Sequence, residues 1–252
     1  MGQRNVLITG ATSGIGEATA RLLAINKYNL ILCGRRQEKL GKLKTELLSQ
    51  TKVTTLSFDV RDYAAVKTSL NSLKDEWTRI DVLINNAGNA HGLDPIQTGN
   101  VDDWDAMMDI NVKGLLYVSR ELIPGMTKQK SGHIINIGSI AGKEVYPNGN
   151  VYCASKFAVD AVTKGMRLDL NPFGIKVTCI HPGLVETEFS VVRFKGDVEK
   201  AATVYKGITP LTGKDIADII LYVLSVPDHV TLADIVVFPK AQANSTLVHR
   251  EK

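Results

Sequence analysis

Tyr152 and Lys156 stand four residues apart in Tyr152-Cys153-Ala154-Ser155-Lys156, so a helix there carries phenol and ammonium on one face. A free tyrosine, with a pKa of about 10, is a poor base at neutral pH. A neighbouring cation favours the phenolate and brings it towards the range in which a proton can be exchanged with a substrate hydroxyl. A second group of residues points to phosphate. Gly10-Ala11-Thr12-Ser13-Gly14-Ile15-Gly16 follows a short apolar run and has the spacing Gly-x3-Gly-x-Gly. Glycines after a strand permit a tight turn and a close backbone approach to a pyrophosphate seated on the next helix N-terminus. Dinucleotide folds place an acid about 20 residues on, where it meets the adenosine ribose. Here the second apolar run leads into Gly34-Arg35-Arg36, and no Asp or Glu occurs before Glu38. A guanidinium fork suits a phosphate, so Arg35 and Arg36 point to a 2′-phosphate and to NADP over NAD.

The elements that must hold these residues alternate along the chain. Short runs at Val6–Thr9, Leu30–Cys33, Val53–Phe58, Val82–Ile84, His133–Gly138, Val177–Ile180 and Ile235–Phe238 are rich in β-branched and apolar residues. Between them, amphipathic stretches at Glu17–Ile25, Gln37–Ser49, Asp62–Thr78, Val112–Gln129 and Val151–Asn171 read as helices. Continuous apolar strands separated by helices predict an α/β, doubly wound Rossmann fold: a seven-stranded, mostly parallel sheet with helices on both faces. No repeat or linker interrupts the 252 residues, so residues 1–252 read as one domain. The rhythm breaks between Pro182 and Lys206, where charged and aromatic residues interleave. Long irregular connections at the carboxyl end of a strand usually serve a ligand, so about 183–207 reads as a substrate lid.

Composition removes several classes of function. Thirty Lys and Arg against 26 Asp and Glu leave a formal charge of +4, too even to imply nucleic acid as a partner. No run approaches the roughly 18 apolar residues of a membrane helix. The first strand begins almost at Met1, so no signal peptide is expected. Cys33, Cys153 and Cys179 are widely spaced and read as free thiols in a reducing compartment, which predicts a cytoplasmic protein. The five histidines show no ligand spacing, so no catalytic metal is expected, and His181 reads as structural.

Further motifs complete an ordered set: Asn85-Asn86-Ala87-Gly88, Asn111 in Ile110-Asn111-Val112-Lys113-Gly114, Ser139 at a strand end, and Pro182-Gly183. With the glycine turn and the Tyr-x3-Lys pair, they resemble the classical short-chain dehydrogenase/reductase family over essentially the whole chain. The resemblance implies roles for these residues. Tyr152 would exchange a proton with the substrate oxygen, which Ser139 also hydrogen-bonds. Lys156 would bind the nicotinamide ribose and tune Tyr152, and Asn111 would complete a water-mediated relay through Lys156. Gly10, Thr12, Ser13, Ile15 and Gly16 would hold the pyrophosphate and adenosine, Arg35 and Arg36 the 2′-phosphate, and Asp59 and Val60 the adenine. Asn86 would meet a ribose, and Pro182, Gly183, Val185 and Thr187 would fold over the nicotinamide.

A finer resemblance lies in Arg35–Leu40, Gly149–Tyr152, Pro182–Ser190 and Val192–Asp197, which are similar to NADP-dependent serine and 3-hydroxy acid dehydrogenases. It implies hydride transfer between NADP(H) and a 3-hydroxy acid such as serine, allo-threonine, 3-hydroxypropionate or 3-hydroxybutyrate. Two alternatives use the same core motifs: a broad carbonyl reductase of less polar substrates, and a non-catalytic NADP-binding protein, which need not keep Ser139, Tyr152 and Lys156. Arg193, between Val192 and Phe194, is the expected substrate-carboxylate clamp, with Lys195 as another candidate. The resemblance also implies a homotetramer, packed through the helices at Val112–Gln129 and Val151–Asn171. The charged tail Ala241–Lys252, with no evident place in the core, is expected to reach a neighbouring subunit.

Overall fold

The computed structural model describes residues 3–251. The seven apolar runs become β1 (Asn5–Thr9), β2 (Asn29–Gly34), β3 (Val53–Ser57), β4 (Val82–Asn85), β5 (Gly132–Ile137), β6 (Ile175–Pro182) and β9 (Asp234–Val237). They form one sheet in the order β3-β2-β1-β4-β5-β6-β9, and every neighbouring pair is parallel. Parallel strands covered on both faces need no polar alternation, which explains the unbroken burial of Val6, Leu7 and Ile8, or of Val82, Leu83 and Ile84. One face carries α1 (Gly14–Ile25), α2 (Gln37–Leu47) and α9 (Gly213–Ser225), whose Ala20, Leu23, Leu40, Leu43, Ile216 and Ile220 join one apolar cluster with Val6, Ile8, Leu30, Ile84 and Ile135 of the strands. The other face carries α3 (Tyr63–Asn71), α5 (Gly114–Gln129) and α6 (Asn150–Leu170), whose Val66, Val118, Met126, Val159 and Met166 join one apolar cluster with Leu7, Ile31, Leu83, Ile134 and Val177 of the strands. The strand order reverses between β1 and β4, which opens a crevice at their carboxyl ends.

Several boundaries differ from the sequence reading. The helix expected at Asp62–Thr78 stops at Asn71 and resumes as a 3₁₀ turn at Asp75–Thr78. An unforeseen helix, α4 (Val101–Met108), precedes α5; Asn100 caps it, its side chain accepting from the N–H groups of Asp102 and Asp103. Between α4 and α5 the helix widens into a π turn at Asp109–Lys113, so α5 begins at Gly114 and not at Val112. The segment after β6 is less irregular than expected. It contains β7 (Val185–Glu186), paired with β8 (Leu211–Thr212), and two capped helices, α7 (Glu188–Arg193) and α8 (Val198–Thr203). The carboxyl-terminal tail folds back on its own chain. The His249 N–H donates to Ala241 O, Glu251 N–H to Gly207 O, and the Arg250 guanidinium to the carbonyls of Val204 and Lys206. Among the described residues no helix is long and apolar enough to cross a membrane.

Candidate active site

A cleft of about 450 Å³ runs along the crevice between β1 and β4, under the segment that follows β6. At one end lies the glycine turn. Gly10 and Gly14 have φ of 65° and 54°, a left-handed conformation that glycine adopts at little cost. A Cβ at Gly16 would overlap the Gly10 carbonyl and the Asn86 amide, so the third glycine answers to close packing. Asn86 holds this turn: its Nδ2 donates to Thr9 O at 3.0 Å and to Gly10 O at 3.1 Å. The Asn86 amide nitrogen, expected from the sequence to meet a ribose, is thus engaged by the glycine turn.

Arg35 and Arg36 flank the same end of the cleft but are engaged differently. Arg35 lies 3.5 Å from Asp59, whose carboxylate also takes the Arg61 fork. Burial of Asp59 works against ionisation, yet Arg61 and Arg35 hold its pKa below the usual value. Every nitrogen of Arg36 has a partner. Its Nε and one Nη donate to Thr12 Oγ1, that Nη also to Thr12 O and Ser13 Oγ, and the other Nη to the Glu188 carboxylate at 2.7 Å. Val60 is buried beside Asp59 and packs on Gly114. Ile15 lines the cleft next to the glycines.

At the other end, α6 places Tyr152 and Lys156 on one face, both buried. Lys156 Nζ donates to Ile137 O at 3.0 Å, and burial brings its pKa down to about 8. Burial pushes the Tyr152 phenol well above its ordinary value, with Tyr146 adding to the rise, while Arg193 and a hydrogen bond with Ser139 oppose it. The sequence reading made Lys156 the cation that tunes Tyr152. In the structure the cation over the phenol ring is Arg193, its Cζ 4.9 Å from the centroid. Ser139 follows β5, and its Oγ accepts from the Ala141 N–H at 3.1 Å. Asn111 lies in the π turn and donates to Asn89 O at 2.9 Å and to Ser155 Oγ at 3.0 Å, while its Oδ1 accepts from Asn89 N–H. Asn111 and Lys156 meet only across Gly88, where an added Cβ would lie 2.9 Å from Asn111 Oδ1 and 3.6 Å from Lys156 Nζ. A π turn in a helix commonly marks a functional position, and here it carries Asn111.

The segment after β6 closes over the cleft. Pro182, Gly183, Val185 and Thr187 line it, and Thr187 packs so near Gly14 that a Cβ there would come within 3.1 Å. Arg193 reaches from α7 over three rings: those of Tyr152, Phe189 at 5.4 Å and Tyr146 at 5.7 Å. One Nη donates to the Tyr146 hydroxyl at 2.6 Å, and the buried Nε has no acceptor. Lys195 points elsewhere, to Asp103 at 2.9 Å.

Sequence reasoning missed several residues of this site. Tyr146 and Phe189 build the aromatic wall around Arg193; Phe189 stands inside a motif-bearing segment and Tyr146 just before one, and neither carries a spacing signal. Gln242, buried in the tail, accepts the Leu184 N–H at 2.8 Å and so braces the Gly183-Leu184 turn. His181 lies fully buried beneath Ser139, its Nδ1 3.2 Å from Ser139 O and its Nε2 3.4 Å from Asp234. Cys179, His181 and Asp234 cluster closely enough to suggest ligands, but Lys143 and Arg167 already neutralise Asp234 at 3.8 and 3.7 Å.

With this geometry in hand, comparison with known proteins is decisive. The family described as short chain dehydrogenase matches residues 4–197. The chain belongs to the short-chain dehydrogenase family. It is 47% identical over 247 residues to the NADP-dependent 3-hydroxy acid dehydrogenase YdfG of Salmonella typhi, covering 97% of this chain and 99% of the relative. It is 42% identical over 239 residues to sulfoacetaldehyde reductase 2 of Chromohalobacter salexigens, covering 94% and 95% of the two. Among solved structures it is similar to the closed form of serine dehydrogenase complexed with NADP⁺, with a TM-score of 0.92 and 44% identity over 98% of this chain and 100% of the other.

The cleft fits a phosphorylated dinucleotide. A positive-φ glycine turn opens α1, cations gather at one end, and the side-chain amide oxygen Oδ1 of Asn89 in its wall is buried without a partner. Backbone N–H groups, guanidinium groups and an unsatisfied amide oxygen are the donors and acceptors that phosphates and ribose hydroxyls require.

Proposed function

We propose that this chain, an NADP-dependent oxidoreductase acting on a CH–OH group, takes 3-hydroxy acids such as serine or 3-hydroxybutyrate as its substrates. The observation that carries this reading is Arg193: a guanidinium over the Tyr152 ring, with a buried Nε that lacks an acceptor. A substrate carboxylate supplies that acceptor, and the guanidinium fork fixes its orientation. The names of two similar proteins, a 3-hydroxy acid dehydrogenase and a sulfoacetaldehyde reductase, likewise describe substrates that carry an anion.

In this mechanism Gly10, Thr12, Ser13, Ile15 and Gly16 hold the pyrophosphate and adenosine, Arg35 and Arg36 the 2′-phosphate, and Asp59 and Val60 the adenine. Asn86 fixes the turn beside the ribose, and Pro182, Gly183, Val185 and Thr187 cover the nicotinamide. NADP, when bound, supplies the hydride acceptor. Tyr152 Oη takes the proton of the substrate hydroxyl, and Ser139 Oγ hydrogen-bonds the same oxygen. Arg193 holds the carboxylate, which sets the 3-hydroxyl against Tyr152 and Ser139. Lys156, whose pKa of about 8 leaves it charged at neutral pH, binds the nicotinamide ribose and passes the proton on towards Asn111. Residues 183–207 act as the lid within a one-domain chain. The active form is a cytoplasmic homotetramer packed through α5 and α6, which light scattering should report as a tetrameric mass.

Replacing Arg193 with Met keeps much of the side-chain length and removes the charge. The KM for serine or 3-hydroxybutyrate should rise at least tenfold, the scale of one charge-assisted hydrogen bond, while the KM for an uncharged alcohol stays near the wild-type value. Equal changes for both substrates would return Arg193 to a lid-packing role and favour a carbonyl reductase of less polar substrates.

A further inference from the structure

The reading above gives Arg36 to the cofactor's 2′-phosphate, yet the structure already supplies it with an anion. Glu188, the first residue of α7, places one carboxylate oxygen 2.7 Å from an Arg36 Nη and the other 2.9 Å from Lys39 Nζ. The remaining Arg36 donors hold Thr12 and Ser13 of the glycine turn. Thr187, one residue before Glu188, sits against Gly14. The amino-terminal end of the lid is therefore pinned to the cations that follow β2, by a carboxylate contributed 152 residues further along the chain.

We propose that Glu188 is a specificity-determining residue that occupies the 2′-phosphate subsite as an internal anion, so that the 2′-phosphate and the lid compete for Arg36 and Lys39. A 2′-phosphate brought to these nitrogens sets a second anion against the Glu188 carboxylate, so like-charge repulsion makes the two compete for the Arg36 Nη and Lys39 Nζ. A phosphate carries more charge and more acceptor oxygens than a carboxylate, so it displaces Glu188. NADP then does two things that NAD does not: it gains the cations, and it frees the start of α7 to move. The three side chains are 42–48% exposed, so each ion pair is individually weak and the exchange is facile.

The inference rests on the NADP assignment and has a test that separates the two. The probes are 2′,5′-ADP and 5′-AMP, which differ in the 2′-phosphate and lack the nicotinamide that would itself order the lid. Calorimetry on the wild-type protein should show 2′,5′-ADP binding at least tenfold more tightly than 5′-AMP; equal affinities would remove the NADP assignment itself. Glu188→Gln should then tighten 2′,5′-ADP about three- to tenfold, on the scale of two exposed ion pairs, and leave 5′-AMP unchanged. Hydrogen exchange across residues 187–193 supplies the second readout. Saturating 2′,5′-ADP should speed exchange there in the wild-type protein, 5′-AMP should not, and Glu188→Gln should be fast without either. A wild-type preference for 2′,5′-ADP combined with no selective effect of Glu188→Gln, or with no change in lid exchange, would overturn the competition and leave the NADP assignment standing.

Discussion

Removing the charge of Arg193 should move the pH dependence of alcohol oxidation upward. Oxidation needs Tyr152 as a phenolate, and burial raises its pKa while the Arg193 guanidinium lowers it. Loss of the guanidinium removes a stabiliser of the charged form, so the phenol keeps its proton to higher pH. The Arg193 Cζ lies 4.9 Å from the ring centroid, and a unit charge at that distance is worth roughly 3 kcal/mol at an effective dielectric constant of about 20. That corresponds to about two pK units before solvent screening. Arg193 is only half buried, so a displacement of about one unit is expected. The assay is kcat/KM for NADPH formation from an uncharged alcohol as a function of pH, in wild type and Arg193→Met. An uncharged substrate keeps the carboxylate clamp out of the comparison. The ascending limb of the variant should lie about one unit to alkaline. Superimposable limbs would show that Arg193 does not tune Tyr152, and would return that task to Lys156.

Two further substitutions probe the ends of the cleft. Tyr152→Phe keeps the ring packed against Phe189 but removes the exchangeable proton; kcat should fall roughly 10²–10⁴-fold while NADPH affinity, followed by fluorescence titration, stays near wild type. Gly16→Ala sets a methyl group against the Gly10 carbonyl and the Asn86 amide; it should cost about 1–3 kcal/mol in chemical denaturation and abolish the NADPH fluorescence signal.

What could be read without coordinates is what depends on local spacing or continuous patterning. The glycine turn and the Tyr152–Lys156 pair are local in sequence, the seven apolar runs are continuous patterns, and each appears where it was expected. Contacts made across the chain were not legible. Nothing near Arg36 announces that Glu188 will occupy it, and nothing in the tail announces that Gln242 will brace Leu184, 58 residues earlier. The tail's attachment to its own chain was not legible because its fixing points are backbone carbonyls at Val204, Lys206 and Gly207, which have no sequence signature. The Asn111 side chain was found by its motif, but the π turn that aims it was hidden within an ordinary helical pattern. Beside Lys156, the cation expected to tune Tyr152, the lid carries a second one, Arg193, over the ring from far along the chain, which no local spacing announces.

The central claim is that a carboxylate on the substrate matters. The most direct measurement is NADPH formation by the wild-type protein from 3-hydroxybutyrate and from 2-propanol, the same secondary alcohol without the carboxylate. The account predicts a kcat/KM at least tenfold higher for the acid, on the scale of the charge-assisted hydrogen bonds offered by Arg193. Comparable values for the two, or a preference for the neutral alcohol, would contradict it.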